Sequence, residues 1–343
     1  MASAPAGSPA GALYVFGSGT VRGVGELRIG MSFPRVYPAG AVTEFAEALE
    51  ERGVDQLWVI EDCFYTAGIS LAATALARTS RLQVGIGILP VVARNPAISA
   101  MEIATLAELA PGRLLAGMGH GVQEWMGQMG AKAKSPLTAL EETISIVRRL
   151  LAGENLTFDG RMHHMDHVEL AAPPAIVPPV LAGVRQVRSL AAAGRCADGL
   201  VLAEGAGPNY IRWAVEHAAP EGDFHVSVFS ALSIENDART ARANIAPFLA
   251  ELLGSPNPAL DRHSHIDEMR EVYTERGIAG LTDMPGDWWT EFGAVGTLDD
   301  AVSHVEQLRD SGADNVSLFP APELEIGREQ LHDVARLRSA VRR

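Results

Sequence analysis

Short apolar segments alternate with segments of helical periodicity along most of the chain. Segment 41–52 shows the helical pattern, because apolar residues recur at three- and four-residue spacing before Gly53 ends it. The same pattern predicts helices at 41–52, 70–78, 97–109, 136–151, 186–194, 208–217, 298–311 and 327–341. It predicts strands at 27–33, 56–60, 82–89, 113–118, 179–183, 199–203, 224–234 and 315–319.

The eight predicted strands alternate with the eight predicted helices. The strands of the first half are short and apolar on both faces, which is typical of parallel strands buried between helices. The repeat predicts an α/β fold, a closed (β/α)₈ TIM barrel that forms a single domain over 27–343. An open, doubly wound sheet is the alternative, since strand–helix alternation alone does not decide whether a sheet closes.

Three segments fall outside this repeat. Residues 1–26 are rich in Ala, Gly, Ser and Pro, and a flexible extension with a short strand at 13–16 is expected there. Residues 155–170 predict a hairpin excursion after the fourth helix, turning at Asp159-Gly160. Residues 236–292 predict a long, largely helical insertion before the seventh helix.

Charge and cysteine content narrow the functional classes. The chain has 343 residues, with 42 acidic and 28 basic ones, so its net charge is −14. This balance disfavours nucleic acid and anionic membranes as partners, because both require a basic surface. Its two cysteines, Cys63 and Cys196, are too few for a disulfide framework. The chain starts without a signal-peptide pattern and has no apolar run of about 18 residues, so a cytoplasmic protein is expected.

In a (β/α)₈ barrel the active site is built from residues that follow the strands. Glu61 and Asp62 follow the second strand. Adjacent side chains alternate in direction, so at most one is expected to face the barrel mouth; a solvated loop or a helix cap is the alternative. The third strand contains Gly85 and Gly87. Glycine inside a strand indicates either a ligand against the backbone or close packing of a neighbouring strand.

His120 follows the fourth strand and lies between Gly119 and Gly121. The glycines leave the imidazole open to approach, and its reference pKa of about 6.5 suits proton transfer. A structural histidine is the alternative. The local pattern resembles a dinucleotide-binding loop, but Val122 stands where that motif requires its last glycine.

The helix after the fifth strand begins with a candidate anion site. Backbone N–H groups and the positive end of the helix dipole would combine there with Arg185 and Arg188. A surface helix start is the alternative. Elsewhere, no GxSxG, HExxH or GxxxxGK[ST] motif occurs. His163, His164 and His167 lie in the predicted hairpin, where an exposed loop is favoured over a metal site, so no metal is expected.

Taken in order, several segments resemble the luciferase-like monooxygenase family, whose members use flavins or deazaflavins. These segments are 84–90, 94–97, 104–106, 111–113, 117–121, 136–142, 193–199 and 205–210. The likeness spans about 27–338. It is greatest to the methylenetetrahydromethanopterin-reductase-like branch, which generally uses coenzyme F420.

The resemblance implies that the deazaflavin of coenzyme F420 lies at the C-terminal mouth of the barrel. It implies a non-prolyl cis peptide bond between Gly87 and Ile88, which pushes a backbone bulge against the ring. A hydride would move between C5 of the ring and a C=C, C=N or C=O group. The coenzyme phosphate would lie at Gly183, Arg185, Arg188 and Ser189. The full set of implied coenzyme contacts is Gly85, Gly87, Ile88, Gly119, Gly183, Val184, Arg185, Arg188, Ser189, Glu204 and Gly205.

The chain departs from the family pattern after the second strand. Several deazaflavin-dependent members have a histidine there, whereas this chain has Asp62, so that histidine's role does not transfer. His120 stands where a related sugar-phosphate dehydrogenase has an acidic residue. We therefore expect His120 to be the proton donor, with Glu61 or Asp62 orienting the coenzyme or the substrate.

Two alternatives stay open at this point. One is an FMN-dependent monooxygenase on the same barrel, and the other is a non-catalytic member that binds a flavin. The expected partner is a small-molecule or peptide-derived substrate, with specificity set by the 236–292 insertion. The resemblance also implies a homodimer.

Overall fold

Eight parallel strands close into a barrel in the computed structural model, which describes residues 27–341. The expected extension over 1–26, with its strand at 13–16, lies outside the described residues. The strands are β1 (Arg28–Phe33), β2 (Gln56–Val59), β3 (Gln83–Pro90), β4 (Leu114–Gly119), β5 (Leu156–Asp159), β6 (His164–Val168), β7 (Val180–Gly183), β8 (Gly199–Leu202), β9 (His225–Ile234), β10 (Gly293–Gly296) and β11 (Asn315–Phe319).

The helices surround the barrel. They are α1 (Val42–Glu51), α2 (Gly68–Arg78), α3 (Pro96–Leu109), α4 (Gln123–Gln128), α5 (Pro136–Leu151), α6 (Val187–Cys196), α7 (Pro208–Ala218), α8 (Ala238–Leu253), α9 (Ile266–Thr282), α10 (Gly286–Phe292), α11 (Leu298–Asp310) and α12 (Leu324–Val341).

The barrel strands follow the order β1-β2-β3-β4-β7-β8-β9-β11, and β11 pairs with β1 to close the cylinder. All eight neighbouring pairs are parallel. The prediction of a TIM barrel is confirmed, and the open doubly wound alternative is wrong. Because the strands are parallel, their carboxyl ends all meet at one mouth of the barrel.

Local sequence explains where the helices begin and end. The α1 helix buries one apolar face, and the chain leaves it through Gly53, whose φ of +71° suits glycine. The α5 helix begins at Pro136 after Ser135, as expected. The hydroxyl of Ser135 does not cap the helix, however, because its Oγ lies 2.8 Å from Oγ1 of Thr138.

Two excursions leave the repeat where the sequence predicted them. The β5 and β6 strands form an antiparallel hairpin after α5, and Asp159 pairs with His164 at its end. The insertion contains α8, α9 and α10, which share an apolar cluster that includes Leu249, Met269 and Trp289. The β10 strand then pairs with β9 outside the closed barrel, an addition that the sequence pattern did not predict.

An aromatic cluster fills the barrel below its C-terminal mouth. The rings of Trp58 and Phe229 meet edge to face at 5.2 Å, and Phe319 contacts Phe229 in the same way at 5.5 Å. Trp58 fits because its neighbour on β3 is Gly85: a Cβ on Gly85 would lie 2.3 Å from the indole Cδ2 atom. Phe229 and Phe319 form the apolar floor of the mouth, and the buried Trp58 supports them from below.

Candidate active site

A cavity of about 1570 Å³ opens at the C-terminal mouth of the barrel. The ends of all eight barrel strands, or the loops after them, line it, and α8 and α12 complete its outer wall. Ten of the residues predicted for the site lie in this one lining: Glu61, Asp62, Gly87, Ile88, His120, Gly183, Val184, Arg185, Ser189 and Glu204.

The third strand carries the expected bulge. The Gly87–Ile88 peptide bond is cis, and the pairing of β3 with β4 shifts its register between Ile86 and Leu89. A second non-prolyl cis bond, Cys63–Phe64, occurs in the loop after β2 and was not predicted from the sequence. The bulge brings Gly87 and Ile88 to the cavity surface.

Glycines on the neighbouring strands make room for the Ile88 side chain. A Cβ on Gly119 would lie 2.2 Å from Cδ1 of Ile88, and one on Gly183 would lie 2.9 Å from it. A Cβ on Gly117 would approach Cγ2 of Ile88 to 3.0 Å. The space at these glycines is therefore occupied by protein, and only Gly183 of the three reaches the cavity.

Four predicted coenzyme contacts lie outside the cavity lining. Trp58 fills the space where a Cβ of Gly85 would lie, and Ile88 fills the corresponding space at Gly119. Both glycines therefore allow a neighbouring side chain to pack against the backbone. Gly205 has a φ of +88° and a Cβ there would face Asn257 and Leu260, which indicates a tight turn after β8. Arg188 is exposed on α6, one residue before Ser189, which does face the cavity.

The two carboxylates after β2 both border the cavity, which differs from the expectation that at most one would. Glu61 is only 9% exposed, and its two oxygens accept hydrogen bonds at 2.5 and 2.9 Å from the guanidinium of Arg94. It also accepts the backbone N–H of Gly68, the first residue of α2, at 2.8 Å. Glu61 therefore ties the β2–α2 loop to Arg94, and its charge is already compensated.

Asp62 lies in a more open position. Its Oδ2 accepts a 2.7 Å hydrogen bond from Arg35, a residue of the β1–α1 loop that the sequence reasoning did not single out. The guanidinium of Arg35 also lies over the rings of Tyr65, at 4.8 Å, and Trp125, at 5.8 Å. Three loops of the mouth therefore meet at one arginine, a contact that no local motif could reveal.

Next to these acids, Cys63 borders the cavity with a thiol that stays protonated. Burial raises the pKa of Cys63, and the nearby carboxylates of Glu61 and Asp62 raise it further. The structure gives no support for a nucleophilic thiolate at this position.

His120 lies between the starts of α5 and α6. Its Nε2 is 3.1 Å from Oγ of Ser189, while Nδ1 is buried and forms no hydrogen bond of normal geometry with a described residue. Burial lowers the pKa of His120 below its ordinary 6.5, and the nearby carbonyl of Pro136 opposes that shift. The imidazole is therefore neutral at pH 7 and can accept a proton.

The start of α6 has the features of an anion site. Gln186 precedes the helix without capping it through its side chain, so the first N–H groups of α6 have no side-chain acceptor. The carbonyl of Arg185 accepts a 2.9 Å hydrogen bond from the hydroxyl of Tyr210, which holds the loop in place. The Arg185 guanidinium borders the cavity and lies 3.9 Å from a carboxylate oxygen of Glu204.

Glu204 follows β8 and neighbours Arg185 in the cavity wall. Its side chain keeps 25% of its exposure, yet burial within the mouth raises the pKa of Glu204, and Arg185 only partly opposes this. A carboxyl in that position can be protonated more easily than an exposed glutamate.

Nothing in the described part of the chain is arranged as a metal centre: no group of three or more His, Cys, Asp or Glu side chains could hold an ion. His163 instead contacts Thr143 Oγ1 at 2.9 Å, and His164 contacts Asp159 at 2.6 Å. Over residues 27–341, none of the helices combines the length and apolar character that crossing a membrane requires.

The chain is similar to several known proteins. A family model described as luciferase-like monooxygenase matches residues 24–315. The chain is 29% identical over 307 residues to 5,10-methylenetetrahydromethanopterin reductase of Methanolobus tindarius, covering 84% of this chain and 93% of that protein. It is 26% identical over 198 residues to F420-dependent glucose-6-phosphate dehydrogenase of Kineococcus radiotolerans, covering 54% of this chain and 59% of that protein.

A solved structure has the same fold. The coenzyme F420-dependent tetrahydromethanopterin reductase of Methanopyrus kandleri superposes with a TM-score of 0.71. The superposition covers 91% of this chain and 97% of that one, with 20% sequence identity. At this identity the likeness supports the barrel architecture, whereas the sequence matches carry the family assignment.

Proposed function

The chain belongs to the luciferase-like monooxygenase family, and on that basis we propose that it is an oxidoreductase that uses coenzyme F420. The reaction would be hydride transfer between the deazaflavin ring and an organic C=C, C=N or C=O group, or its reverse. Relatives that cover most of this chain are named methylenetetrahydromethanopterin reductases, and a further relative is named F420-dependent, which supports the choice of coenzyme.

The observation that carries the proposal is that one cavity contains both an apolar floor and an anion site. Ile88, Phe229 and Phe319 offer flat apolar surface, which suits an aromatic ring. In the same cavity, the uncapped start of α6 combines with Ser189 and Arg185, which suits a phosphate. A flat ring with an anionic tail fits this pair of surfaces.

When bound, the coenzyme would supply the hydride acceptor or donor. The start of α6, with Ser189 and Arg185, would hold its phosphate. His120 would act as the general base and general acid. During oxidation its neutral imidazole would accept a proton from a substrate hydroxyl or amine. During reduction the imidazolium would donate a proton to the substrate. Ser189 links these two tasks, because its hydroxyl contacts Nε2 of His120.

The two acids after β2 have different roles in this proposal. Glu61 is a positioning residue, because its oxygens are already bound by Arg94 and by the N–H of Gly68. Among residues 27–341, Asp62 has only Arg35 as an ion-pair partner, and its side chain is 29% exposed, so it is the better candidate for orienting a substrate.

The test is a pair of fluorescence titrations of the purified protein, one with reduced F420 and one with reduced FMN. The proposal expects F420 to bind more tightly, with Arg185→Gln weakening that binding and the exposed Arg81→Gln, at the other end of the barrel, leaving it unchanged. Tighter binding of FMN would contradict the F420 proposal and favour the FMN-dependent monooxygenase. Oxygen uptake in the presence of reduced FMN would then be measured to test that alternative. Binding of F420 without turnover of any carbonyl, imine or alkene would favour the non-catalytic alternative.

The proposed assembly and partner class follow from the family resemblance. We expect a small organic substrate and a homodimer, and light scattering coupled to size exclusion measures the latter directly.

A further inference from the structure

The only two lysines of the chain lie two residues apart, and neither lines the cavity itself. Lys132 and Lys134 belong to the segment between α4 and α5, and all other basic residues of this acidic chain are arginines. Both lysines are exposed, and neither forms an ion pair with a described residue. Two uncompensated cations in one short loop are unusual in a protein with a net charge of −14.

His120 connects this loop to the anion site. Its ring contacts Ser189 on α6 and lies near the carbonyl of Pro136, the first residue of α5. Lys134 precedes Pro136 by two residues, which limits the distance between their Cα atoms to about 8 Å. Arg188 directly precedes Ser189. The backbones of Lys134 and Arg188 are therefore both within two residues of a group that adjoins His120, at the same part of the mouth.

Over 129–135 and 186–189 every charged residue is basic, although the whole molecule is acidic. Arg188 is exposed and, like the lysines, has no carboxylate partner within ion-pair distance among the described residues. The starts of α5 and α6, helices of 16 and 10 residues, add the positive ends of their dipoles. Together these groups would attract an extended anion that leaves the cavity next to Ser189.

We propose that Lys132, Lys134 and Arg188 form a basic rim that binds the oligoglutamate chain extending from the phosphate of coenzyme F420. The inference rests on the proposed function, since it assumes that this coenzyme occupies the cavity. The three exposed side chains would bind the carboxylates of the glutamates. Arg185 and Ser189 would bind the phosphate.

The test compares two forms of the coenzyme by fluorescence titration: F420 with a long oligoglutamate chain, and the form that keeps the phosphate but has no glutamates. Three proteins are titrated: the unaltered chain, K132Q/K134Q, and the control R52Q/R81Q. The control removes two exposed cations from the opposite end of the barrel, so the net charge changes equally. The dissociation constants are measured at low and at moderate salt.

We expect K132Q/K134Q to weaken binding of the long-chain form by about fivefold at low salt, with a smaller effect at moderate salt, because exposed ion pairs are weak and screened. Adding R188Q to this variant should weaken binding of the long-chain form further. Unchanged binding of the form without glutamates shows that the variant is folded and that its phosphate site is intact.

The inference is overturned if both forms bind the unaltered protein equally, if the variant weakens both forms equally, or if the control has the same effect. In each of those cases the coenzyme still binds, so the proposed function stands. Failure of both forms to bind the unaltered protein would overturn the proposed function, and this inference with it.

Discussion

His120 combines an open approach from the cavity with a ring that the protein keeps neutral. Its Nε2 is fixed by Ser189, and its location between two helix starts lowers its pKa through burial. A neutral imidazole is prepared to accept a proton, so the resting protein is matched to substrate oxidation. In the reductive direction His120 must first be protonated, and reduction should therefore become slower as the pH rises.

The first prediction concerns this titration. In the folded protein, the His120 imidazole should titrate with a midpoint below 6.5, because burial disfavours the imidazolium. Two-dimensional NMR of histidine ring signals measures the midpoint, and the missing signal in His120→Gln identifies the residue. A midpoint at or above 6.5 would show that the imidazole is charged more readily than its burial allows.

The second prediction concerns catalysis. His120→Ala should reduce kcat by about 100-fold or more, while the dissociation constant for F420 changes little, because the residue moves a proton and does not hold the coenzyme. The matched control is His164→Ala, which removes an exposed histidine from the hairpin. If His120→Ala keeps full turnover with a substrate of the native protein, His120 has no part in proton transfer.

At the scale of elements, hydrophobic patterning was enough to predict the strands and helices of the barrel, although closure of the sheet was visible only in the structure. All eight barrel strands occur where the alternation indicated them, since buried parallel strands are apolar on both faces. The pattern could not predict β10, because four residues with glycine at both ends carry no periodicity, and it pairs with β9 only through the tertiary fold. The α4 helix was missed because its six residues are too few to show a helical periodicity.

The site was predictable at strand ends but only in part at the glycines, since Gly87 and Gly183 line the cavity and Gly85, Gly119 and Gly205 do not. Strand-end position identified His120 and one of Glu61 and Asp62 as expected cavity residues, whereas both acids border the cavity. A glycine in a strand, however, indicates only that a neighbouring group needs the space of a side chain. The sequence does not identify that group. Trp58 fills the space at Gly85, and Ile88 fills that at Gly119. Arg35 was missed because its partners come from distant loops.

A buried histidine anchors the insertion to the barrel. Nε2 of His304, on α11, lies 2.7 Å from Oγ of Ser230 on β9, and its Nδ1 lies 2.8 Å from the carbonyl oxygen of Thr290 on α10. The donor available at Ser230 and the acceptor at Thr290 suit a neutral ring. Complete burial accordingly lowers the pKa of His304 from 6.5 to about 4.

The third prediction follows from that pKa. The unfolded chain binds a proton at His304 below about pH 6.5, whereas the folded protein does so only near pH 4, so stability is full above pH 6.5 and falls as the pH decreases. Between pH 7 and 4.5 this residue should cost about 2–3 kcal/mol of unfolding free energy.

Urea unfolding of the native protein and of His304→Gln at both pH values measures this contribution. Glutamine can replace both hydrogen bonds but does not titrate, so the variant should lose about 2–3 kcal/mol less on acidification. Other titrating groups cancel in the difference between the two proteins. Equal losses in both would show that His304 is not the group responsible.

At the scale of the whole molecule, charge is divided across the mouth of the barrel. The basic rim lies beside the starts of α5 and α6, whereas the wall formed by α8, α12 and the loops after β9 and β11 is acidic. Among the residues lining the cavity there are eight carboxylates and three guanidinium groups. The acids of this wall that form no ion pair with a described residue are Glu235, Glu251, Glu323 and Glu329.

The fourth prediction is that this acidic wall selects substrates by charge. If the coenzyme phosphate occupies the start of α6, a substrate must approach from the acidic side, where an added negative charge is repelled. Matched sets of small alcohols or ketones, differing only in a remote ammonium, a neutral group or a remote phosphate, test this. The phosphate member should have a kcat/KM at least about tenfold lower than the neutral one.

Raising the salt concentration should reduce the difference in kcat/KM between the phosphate-bearing and the neutral substrate. The four acids without an ion-pair partner are exposed, so salt screens their charges. The variant E235Q/E329Q should narrow it as well, while R52Q/R81Q should not, since those arginines lie at the other end of the barrel. Coenzyme titration in the same samples separates poor substrate selection from loss of coenzyme. A phosphate-bearing substrate that is preferred over its neutral counterpart would mean that the substrate reaches the ring from the basic side, and the two halves of the mouth would exchange their roles.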